Sequence, residues 1–431
     1  MRHLYSLLYT LLLPAIALRM LWRSRRAPAY RERLAERLGY FDSSALASGP
    51  GGRKPVIWVH AVSVGETIAA APLVDTLIDH YPGYQLVITT TTPTGSERVS
   101  ALFGERVFHV YAPWDLPGAM RRFFDAVQPS LLLLMETELW PNMLHRAAAC
   151  DCPVVLANAR LSERSAAGYA RVAGLAGEML GQLSGVGCQS AADGERFKAL
   201  GLPAQRLHIT GSIKFDLVLT PEIVEEAEQL DQNWDGDHRT VIVAASTHPG
   251  EDEQILAAYA TVKEVVDLAL LVLVPRHPER FDAVHRLCVE GGWSVLRRSC
   301  GESPEAATDI VLGDTMGELL LLLGIADIAV IGGSLVEHGG HNVLEPAAWA
   351  APVVTGPHMF NFATISSLLV EAGAMIQLVD PSQLGETLVE LALDPQRRAT
   401  MGAAGKQVVK DNRGARDRLM ALVEAALPPA N

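Results

Sequence analysis

The chain has 431 residues, of which 49% are hydrophobic and 20% charged, and its net charge is −13. That composition excludes a disordered or fibrous chain, the acidic balance gives no electrostatic reason to bind nucleic acid, and the length allows two or three domains. The charge is uneven: within the first 40 residues Arg2, Arg19, Arg23, Arg25, Arg26, Arg31, Arg33 and Arg37 stand against only Glu32 and Glu36. A basic end on an acidic body points to an anionic surface as partner for that end alone. Cys150, Cys152, Cys188, Cys288 and Cys300 are too scattered for a disulfide framework. Cys150-Asp151-Cys152 also lacks zinc-ligand spacing, so reduced thiols in a cytoplasmic body are expected.

Residues 4–22, LYSLLYTLLLPAIALRMLW, are apolar apart from Ser6, Thr10 and Arg19. As a helix this stretch is about 28 Å long, close to the thickness of a bilayer core. Arg19 can snorkel from its end, Trp22 suits the interface, and Arg23–Arg26 keep the downstream body on the cytoplasmic side. Ala15-Ile16-Ala17 offers a small-x-small cleavage pattern, but the positive charge lies after the apolar run instead of preceding it, which disfavours a cleaved leader. Pro14 and the modest length leave an interfacial helix as the alternative to a spanning anchor. Either way this end is expected to touch membrane.

From residue 55 the chain alternates short apolar runs with helical patterns. Val56–His60, Gln85–Thr91, Leu131–Met135 and Pro153–Ala157 read as buried parallel strands, separated by helices such as Ile68–His80 and Leu116–Val127. The rhythm restarts with Thr240–Ala245, Leu268–Val274, Ile328–Gly332 and Pro352–Thr355, after an acidic, strand-free linker and first helix at Pro221–His238. Repeated βαβ units predict two Rossmann-like halves facing one cleft. Ligands in such sheets bind beyond the carboxyl ends of strands, so the loops there carry the candidate chemistry.

Val62-Ser63-Val64-Gly65-Glu66 leaves the first strand and opens a helix, putting Glu66 where the helix dipole favours a carboxylate. It could accept a proton from a substrate hydroxyl or be an ordinary first-turn glutamate. Met135-Glu136-Thr137-Glu138-Leu139-Trp140-Pro141 places two acids at a strand exit, one to orient an acceptor or stabilise charge and one to cap the next helix. In Gly211-Ser212-Ile213-Lys214-Phe215-Asp216 the lysine could meet an anionic donor or simply pair with Asp216. Pro275-Arg276-His277-Pro278-Glu279-Arg280 presents arginines suited to phosphate or carboxylate on a proline-stiffened loop, or forms a solvated charged loop. In Gly313-Asp314-Thr315-Met316-Gly317-Glu318-Leu319 the glycines allow close backbone approach to a base or ribose, while Asp314 or Thr315 could be a helix cap. The strongest local signal is Gly332-Gly333-Ser334 with Gly339-Gly340-His341-Asn342-Val343-Leu344-Glu345-Pro346. Glycines crowd a strand-to-helix turn there, backbone N–H groups could hold a phosphate, and Glu345 could accept from a ribose hydroxyl. Neither a GxGxxG nor a Walker sequence is present. Asp235-Gly236-Asp237 spells a metal-type pair but precedes a strand instead of leaving one.

Together these segments resemble the 3-deoxy-D-manno-octulosonic acid (Kdo) transferases of lipopolysaccharide biosynthesis. The resemblance runs through ArgAlaProAlaTyrArg (26–31), HisAlaValSerValGlyGlu (60–66), ThrProThrGlySer (92–96), MetGluThrGluLeuTrpProAsn (135–142), AsnAlaArgLeuSer (158–162), ProArgHisProGluArgPhe (275–281), GlyAspThrMetGlyGlu (313–318) and GlyGlyHisAsnValLeuGlu (339–345). It implies an α/β GT-B fold behind an N-terminal membrane-anchor helix. The expected divisions are an anchor at 1–40, an acceptor domain at 41–220, a CMP-sugar domain at 221–410, and a C-terminal helix at 411–431 packing back on the first domain. It further implies inverting transfer of Kdo from CMP-Kdo to lipid IVA at the cytoplasmic face of the inner membrane, with no metal or other cofactor. By motif, Glu66 is the general base, Glu136 and Lys214 are transition-state stabilisers, and Pro275, Arg276, Met316, Gly317, Glu318, Asn342, Val343, Leu344 and Glu345 contact CMP. Gly211-Ser212-Ile213 before Lys214 and Val343, where proline is frequent, depart from the pattern without touching a reacting group. Two competing readings are a UDP-sugar-dependent lipid A disaccharide synthase and a membrane-anchored nucleotide-sugar binder without turnover. A base in the cleft argues against the second.

Overall fold

A computed structural model describes residues 1–25, 27–46, 48–49, 52–234 and 239–427. Arg26 and the Asp235-Gly236-Asp237 pattern lie outside the described residues. The chain forms two compact units, one comprising Met1–Asp216 with the segment from Arg413 onward, the other Leu217–Asn412.

Unit 1 is built on seven parallel strands: β1 Val56–His60, β2 Gln85–Thr90, β3 Phe108–Tyr111, β4 Pro129–Met135, β5 Val154–Ala159, β6 Gly185–Cys188 and β7 Leu207–Ile209, in spatial order β3-β2-β1-β4-β5-β6-β7. The apolar runs read as strands because both faces of a parallel sheet are covered by helices. Alternate residues serve the two faces: Ile57, Val59, Leu131 and Leu133 enter one core, and Trp58, Leu132 and Leu134 the other. Strand order reverses between β1 and β4, so helices leave these two neighbours in opposite directions and a crevice opens at their carboxyl ends.

Unit 2 repeats the plan with β8 Thr240–Thr247, β9 Ala269–Pro275, β10 Val295–Arg297, β11 Ile310–Leu312, β12 Ile328–Ile331, β13 Val353–Thr355 and β14 Met375–Gln377, in spatial order β10-β11-β9-β8-β12-β13-β14, all parallel. Its switch point lies between β8 and β12.

The eight expected strands are all present, Val56–His60 with the expected ends and the other seven with shifted ones. β3, β6, β7, β10, β11 and β14 are three or four residues long. Sequences such as Gly185-Val186-Gly187-Cys188 carry too little apolar patterning to announce themselves; the sheet recruits them by backbone pairing with longer neighbours. The helix expected at Ile68–His80 starts earlier, at Val64, because the Ser63 hydroxyl caps it.

The chain passes from unit 1 to unit 2 after Asp216 and returns after Asn412. The helix Pro395–Asp411 therefore belongs to unit 2, whereas Ala415–Ala426 packs Leu419, Met420 and Val423 into the unit 1 core beside Ile57 and Val59. Asp216 joins the two crossing points: its carboxylate accepts N–H bonds from Gly414 and Arg416. It thereby caps the returning helix instead of forming the surface pair with Lys214 that its spacing suggests. Asp216→Ala should lower the stability of unit 1 by about 1–2 kcal/mol, the usual cost of losing a helix cap, measured by urea unfolding followed through tryptophan fluorescence.

Candidate active site

In unit 1 the crevice is lined by acids on the two loops that flank the switch point. Val62-Ser63 leaves β1 and turns into the helix Val64–His80, with Ser63 as N-cap and Glu66 in the first turn. The Glu66 side chain is 7% exposed, accepts from the Ser63 hydroxyl at 2.8 Å and from the Val62 N–H at 2.9 Å. Burial pushes its carboxyl up to about 7; those two hydrogen bonds oppose the rise, and the nearby Glu138 and Glu136 reinforce it. Two donors leave further lone pairs on the carboxylate, so Glu66, tied to its own loop in the first turn, can still accept another hydrogen bond.

Beyond β4, Glu136 takes a left-handed conformation with φ of 55° while its N–H is held by the Ala157 carbonyl at 2.9 Å. The hydroxyl of Thr137 donates to the Arg160 carbonyl, closing the loop onto the next strand exit. Glu138 accepts from the Trp140 indole at 2.8 Å, and burial raises its carboxyl. Neither acid caps the helix Pro141–Ala149, contrary to the expectation for one of them. Asp115 does so from a separate loop, accepting from the N–H groups of Asn142 and Met143. Burial pushes Asp115 up to about 6 against those bonds.

Lys214 reaches the same place by a different route. Asn158, at the end of β5 with φ of 55°, accepts from the Ile213 N–H at 3.2 Å and so seats the turn Ile213–Phe215. Burial lowers the Lys214 ammonium, and Glu136 nearby opposes that shift. Glu136 is thus within electrostatic reach of both Glu66 and Lys214. Beneath them, fully buried His60 bonds Thr89 at 2.7 Å through Nδ1, and burial pushes its pKa down to about 3. It is therefore a neutral packing residue.

In unit 2, Ser246, next to last in β8, has φ of 60° and is pressed against Gly332 just after β12. A Cβ on Gly332 would meet the Ser246 carbonyl oxygen at 2.3 Å, so only glycine fits. The N–H groups of the following turn do not form an open phosphate cradle as the glycines suggest. Glu251, completely buried, accepts from Gly333, Ser334 and Leu335 at 2.7, 3.1 and 2.9 Å and from His248 at 2.8 Å. An internal carboxylate fills the anion-binding turn and fixes its shape. The N–H of Leu344 is likewise taken by the Asn342 side chain.

Side chains complete the surroundings of this turn. Pro275 ends β9 buried and Arg276 is exposed beyond it, while Arg280 of the same motif turns inward to the Thr247 carbonyl and an ion pair with Asp252. Asn342 donates to Glu345 at 2.9 Å; burial raises the Glu345 carboxyl, and Asn342 and Arg276 oppose it. Val343 and Leu344 are buried supports of this turn. His341 joins the group, with its Nε2 at 2.8 Å from that of His248, and His338 stacks on His248 at 4.1 Å. Burial pushes both His248 and His341 down to about 4, aided by their neighbouring cations and imidazoles. Met316 and Gly317 are exposed on the loop after β11, while Glu318 bonds Arg298 and Thr315. Asp314 binds Ser299, and no side chain caps the short helix Leu319–Leu322, so the capping alternative for Asp314 and Thr315 is not realised.

Asp115, His248 and Glu251 escape the sequence reading. Glu251 and His248 stand directly after a strand exit, the place where such groups collect. Asp115 acts on residues 27 positions away, a partnership no local spacing encodes. All five cysteines are free, and among the described residues no His/Cys/Asp/Glu group has metal-site geometry.

A sequence profile described as 3-Deoxy-D-manno-octulosonic-acid transferase (kdotransferase) matches residues 32–217. The 3-deoxy-D-manno-octulosonic acid transferase of Haemophilus influenzae is 44% identical, with 99% of both chains covered. The chain belongs to the Kdo transferase family. The Bordetella pertussis Kdo transferase is 36% identical over 98% of this chain and 99% of its own. Among solved structures, UDP-GlcNAc 2-epimerase from Neisseria meningitidis bound to UDP-GlcNAc matches with a TM-score of 0.57 over 86% of this chain and 100% of that one. At 13% identity that likeness concerns fold alone, the two-sheet GT-B-like architecture. The C-terminal CMP-Kdo binding domain of WaaA from Acinetobacter baumannii is 36% identical, covering 44% of this chain and all of its own length, with a TM-score of 0.43.

The role of Glu251 in this Kdo transferase is directly measurable. Glu251→Ala strands four N–H donors and should destabilise unit 2 by at least about 3 kcal/mol, read from chemical denaturation. Glu251→Gln, which keeps one acceptor oxygen, should fall between the two.

Proposed function

We propose that this Kdo transferase moves Kdo from CMP-Kdo to lipid IVA, a tetraacylated disaccharide bisphosphate, at the cytoplasmic face of the inner membrane, with inversion at the anomeric carbon. The observation that carries the mechanism is the buried Glu66 carboxyl, pushed up to about 7 at the switch point of unit 1 and coupled to Glu136. CMP-Kdo is the ligand named for the Acinetobacter baumannii domain.

In the step we assign, an acceptor hydroxyl oxygen bonds to the anomeric carbon as the bond from that carbon to the CMP phosphate breaks. The hydroxyl proton passes to Glu66, and the electron pair of the broken bond leaves with CMP. Lys214 supplies positive charge close to the reacting sugar, held in place by Asn158 and Glu136. Glu136 contributes the orientation of Lys214 and a carboxylate that favours positive charge developing at the anomeric centre. Arg276, through its forked guanidinium, meets the CMP phosphate, and the Asn342–Glu345 turn and the Met316–Glu318 loop take the nucleoside. Phosphate is a stable leaving group, so the assignment requires no metal and no strong general acid. The lipid end of the acceptor remains in the membrane beside the N-terminal helix.

Transfer is monitored by mass spectrometry of lipid IVA products, which also reads the number of sugars added. Glu66→Gln should lower kcat by about 10²–10⁴-fold while CMP affinity by calorimetry stays unchanged; an equally active variant would remove Glu66 from the chemistry. Because the base works ionised, the wild-type rate should climb as pH rises through about 7 and then level off, and that limb should be absent in the variant. Arg276→Ala should raise the KM for CMP-Kdo about 10–100-fold, the worth of a charge-assisted hydrogen bond, with a smaller effect on kcat. EDTA should leave the rate unchanged.

A further inference from the structure

The helix Arg2–Arg23 is long and apolar enough to cross a membrane, yet it is fastened to unit 1 at both ends. Near its start, Arg2 and Ser6 donate to the Asn142 side chain at 3.1 and 3.0 Å, and Asn142 is itself bonded to the Asp115 carbonyl at 2.7 Å. Ser6, Asn142 and Asp115 are all buried. Just past its end, buried Ser24 accepts from Arg31 at 2.7 Å. The segment after Arg31 is in turn bonded to the sheet, through Arg33 to the His109 carbonyl and Arg37 to the Thr91 carbonyl, both at 2.9 Å.

Between these fastenings one stripe of the helix is less exposed than the rest: Ser6 is buried, and Arg2, Tyr5, Tyr9, Leu13, Ile16, Ala17 and Met20 are partly buried. The opposite face, including Leu4, Leu7, Leu11 and Leu18, is more than half exposed throughout. Arg19, Arg23 and Arg25 are exposed beside it.

A helix of this length is about 33 Å long. Crossing a bilayer would put its two ends on opposite sides of a hydrocarbon core about 30 Å thick, but here a single folded unit binds both. Basic residues also stand at both ends, Arg2 at one and Arg23 with Arg25 at the other, and cations near a membrane segment favour the cytoplasmic side. We propose that the N-terminal helix does not span: it lies in the membrane plane, docked on unit 1 by its partly buried face, and inserts its leucine face into one leaflet of an anionic phospholipid bilayer. Arg19, Arg23 and Arg25 then meet lipid phosphates, and both helix ends remain on the cytoplasmic side. This rests on the membrane part of the proposed function and deepens it, since a helix bonded to the first turn of Pro141–Ala149 holds unit 1 against the leaflet from which a lipid acceptor must be taken.

Full-length chains carrying Cys150→Ser and Cys300→Ser, with one further substitution each of Leu4→Cys, Leu11→Cys or Leu18→Cys, supply thiols along the exposed face for a fluorescent probe. With vesicles of phosphatidylethanolamine and phosphatidylglycerol containing lipids brominated at defined depths, the three probes should report the same shallow depth. A profile deepest at Leu11 and shallow at the flanking positions would overturn the proposal in favour of a spanning helix. As a second measurement, the His3→Cys thiol in the same background should resist an impermeant maleimide in intact spheroplasts and react after lysis; reaction in intact spheroplasts would again overturn it. If the protein neither sediments with membranes nor shows quenching at any position, the membrane reading itself fails, and the in-plane proposal with it.

Discussion

The chemistry of unit 1 depends on the hydrogen-bonded pairing of Val56–His60 with Pro129–Met135. These neighbours run parallel, so both end at the same edge of the sheet, and the order reversal between them sends their helices to opposite faces. The loops must therefore part, and the groups they carry surround the gap. Glu66 comes from one loop, Glu136 and Glu138 from the other. Crowding carboxylates in a poorly solvated gap is electrostatically unfavourable, and the structure responds with local donors: Ser63 and Val62 for Glu66, Trp140 for Glu138, and the coupled ammonium of Lys214 for Glu136. The same burial that makes the arrangement costly raises the Glu66 carboxyl above the usual carboxylate range.

Acids elsewhere do a different job. Glu251, Asp216 and Asp115 each gather backbone N–H groups from segments remote from themselves: the turn after β12, the returning helix, and the first turn of Pro141–Ala149. A carboxylate accepting several such bonds acts as a rigid junction, because unsatisfied donors in a dry interior are expensive. In unit 2 this means the glycine-rich turn is shaped from inside, and the exposed groups around it, Arg276 and the Asn342–Glu345 pair, are presented on a preformed frame.

Much of this was legible in the sequence because parallel strands buried on both faces leave continuous apolar runs, and because chemistry sits where those runs stop. Leu131–Met135 leading into Glu136 is such a signal, and Ser63 before Glu66 is a local capping pattern. Three kinds of feature were not legible. Short strands such as Leu207–Ile209 owe their conformation to neighbours. Long-range caps such as Asp115 and Asp216 depend on tertiary contact. The filled anion turn looked empty because its glycines are adjacent in sequence and the carboxylate that occupies it is about 80 residues earlier.

The return of the last helix to unit 1 has a consequence for biogenesis. Leu419, Met420 and Val423 complete the core that contains Ile57 and Val59, yet a ribosome makes them only after the whole of unit 2. Unit 2, contiguous in sequence, has all its strands before the chain ends, whereas unit 1 waits for the final residues to cover one face of its sheet. The N-terminal leucine helix leaves the tunnel long before the last helix is made. Nascent chains of this enzyme therefore carry two unburied apolar surfaces for most of translation, and early delivery to a membrane or a chaperone would shelter the first while the second awaits its covering helix.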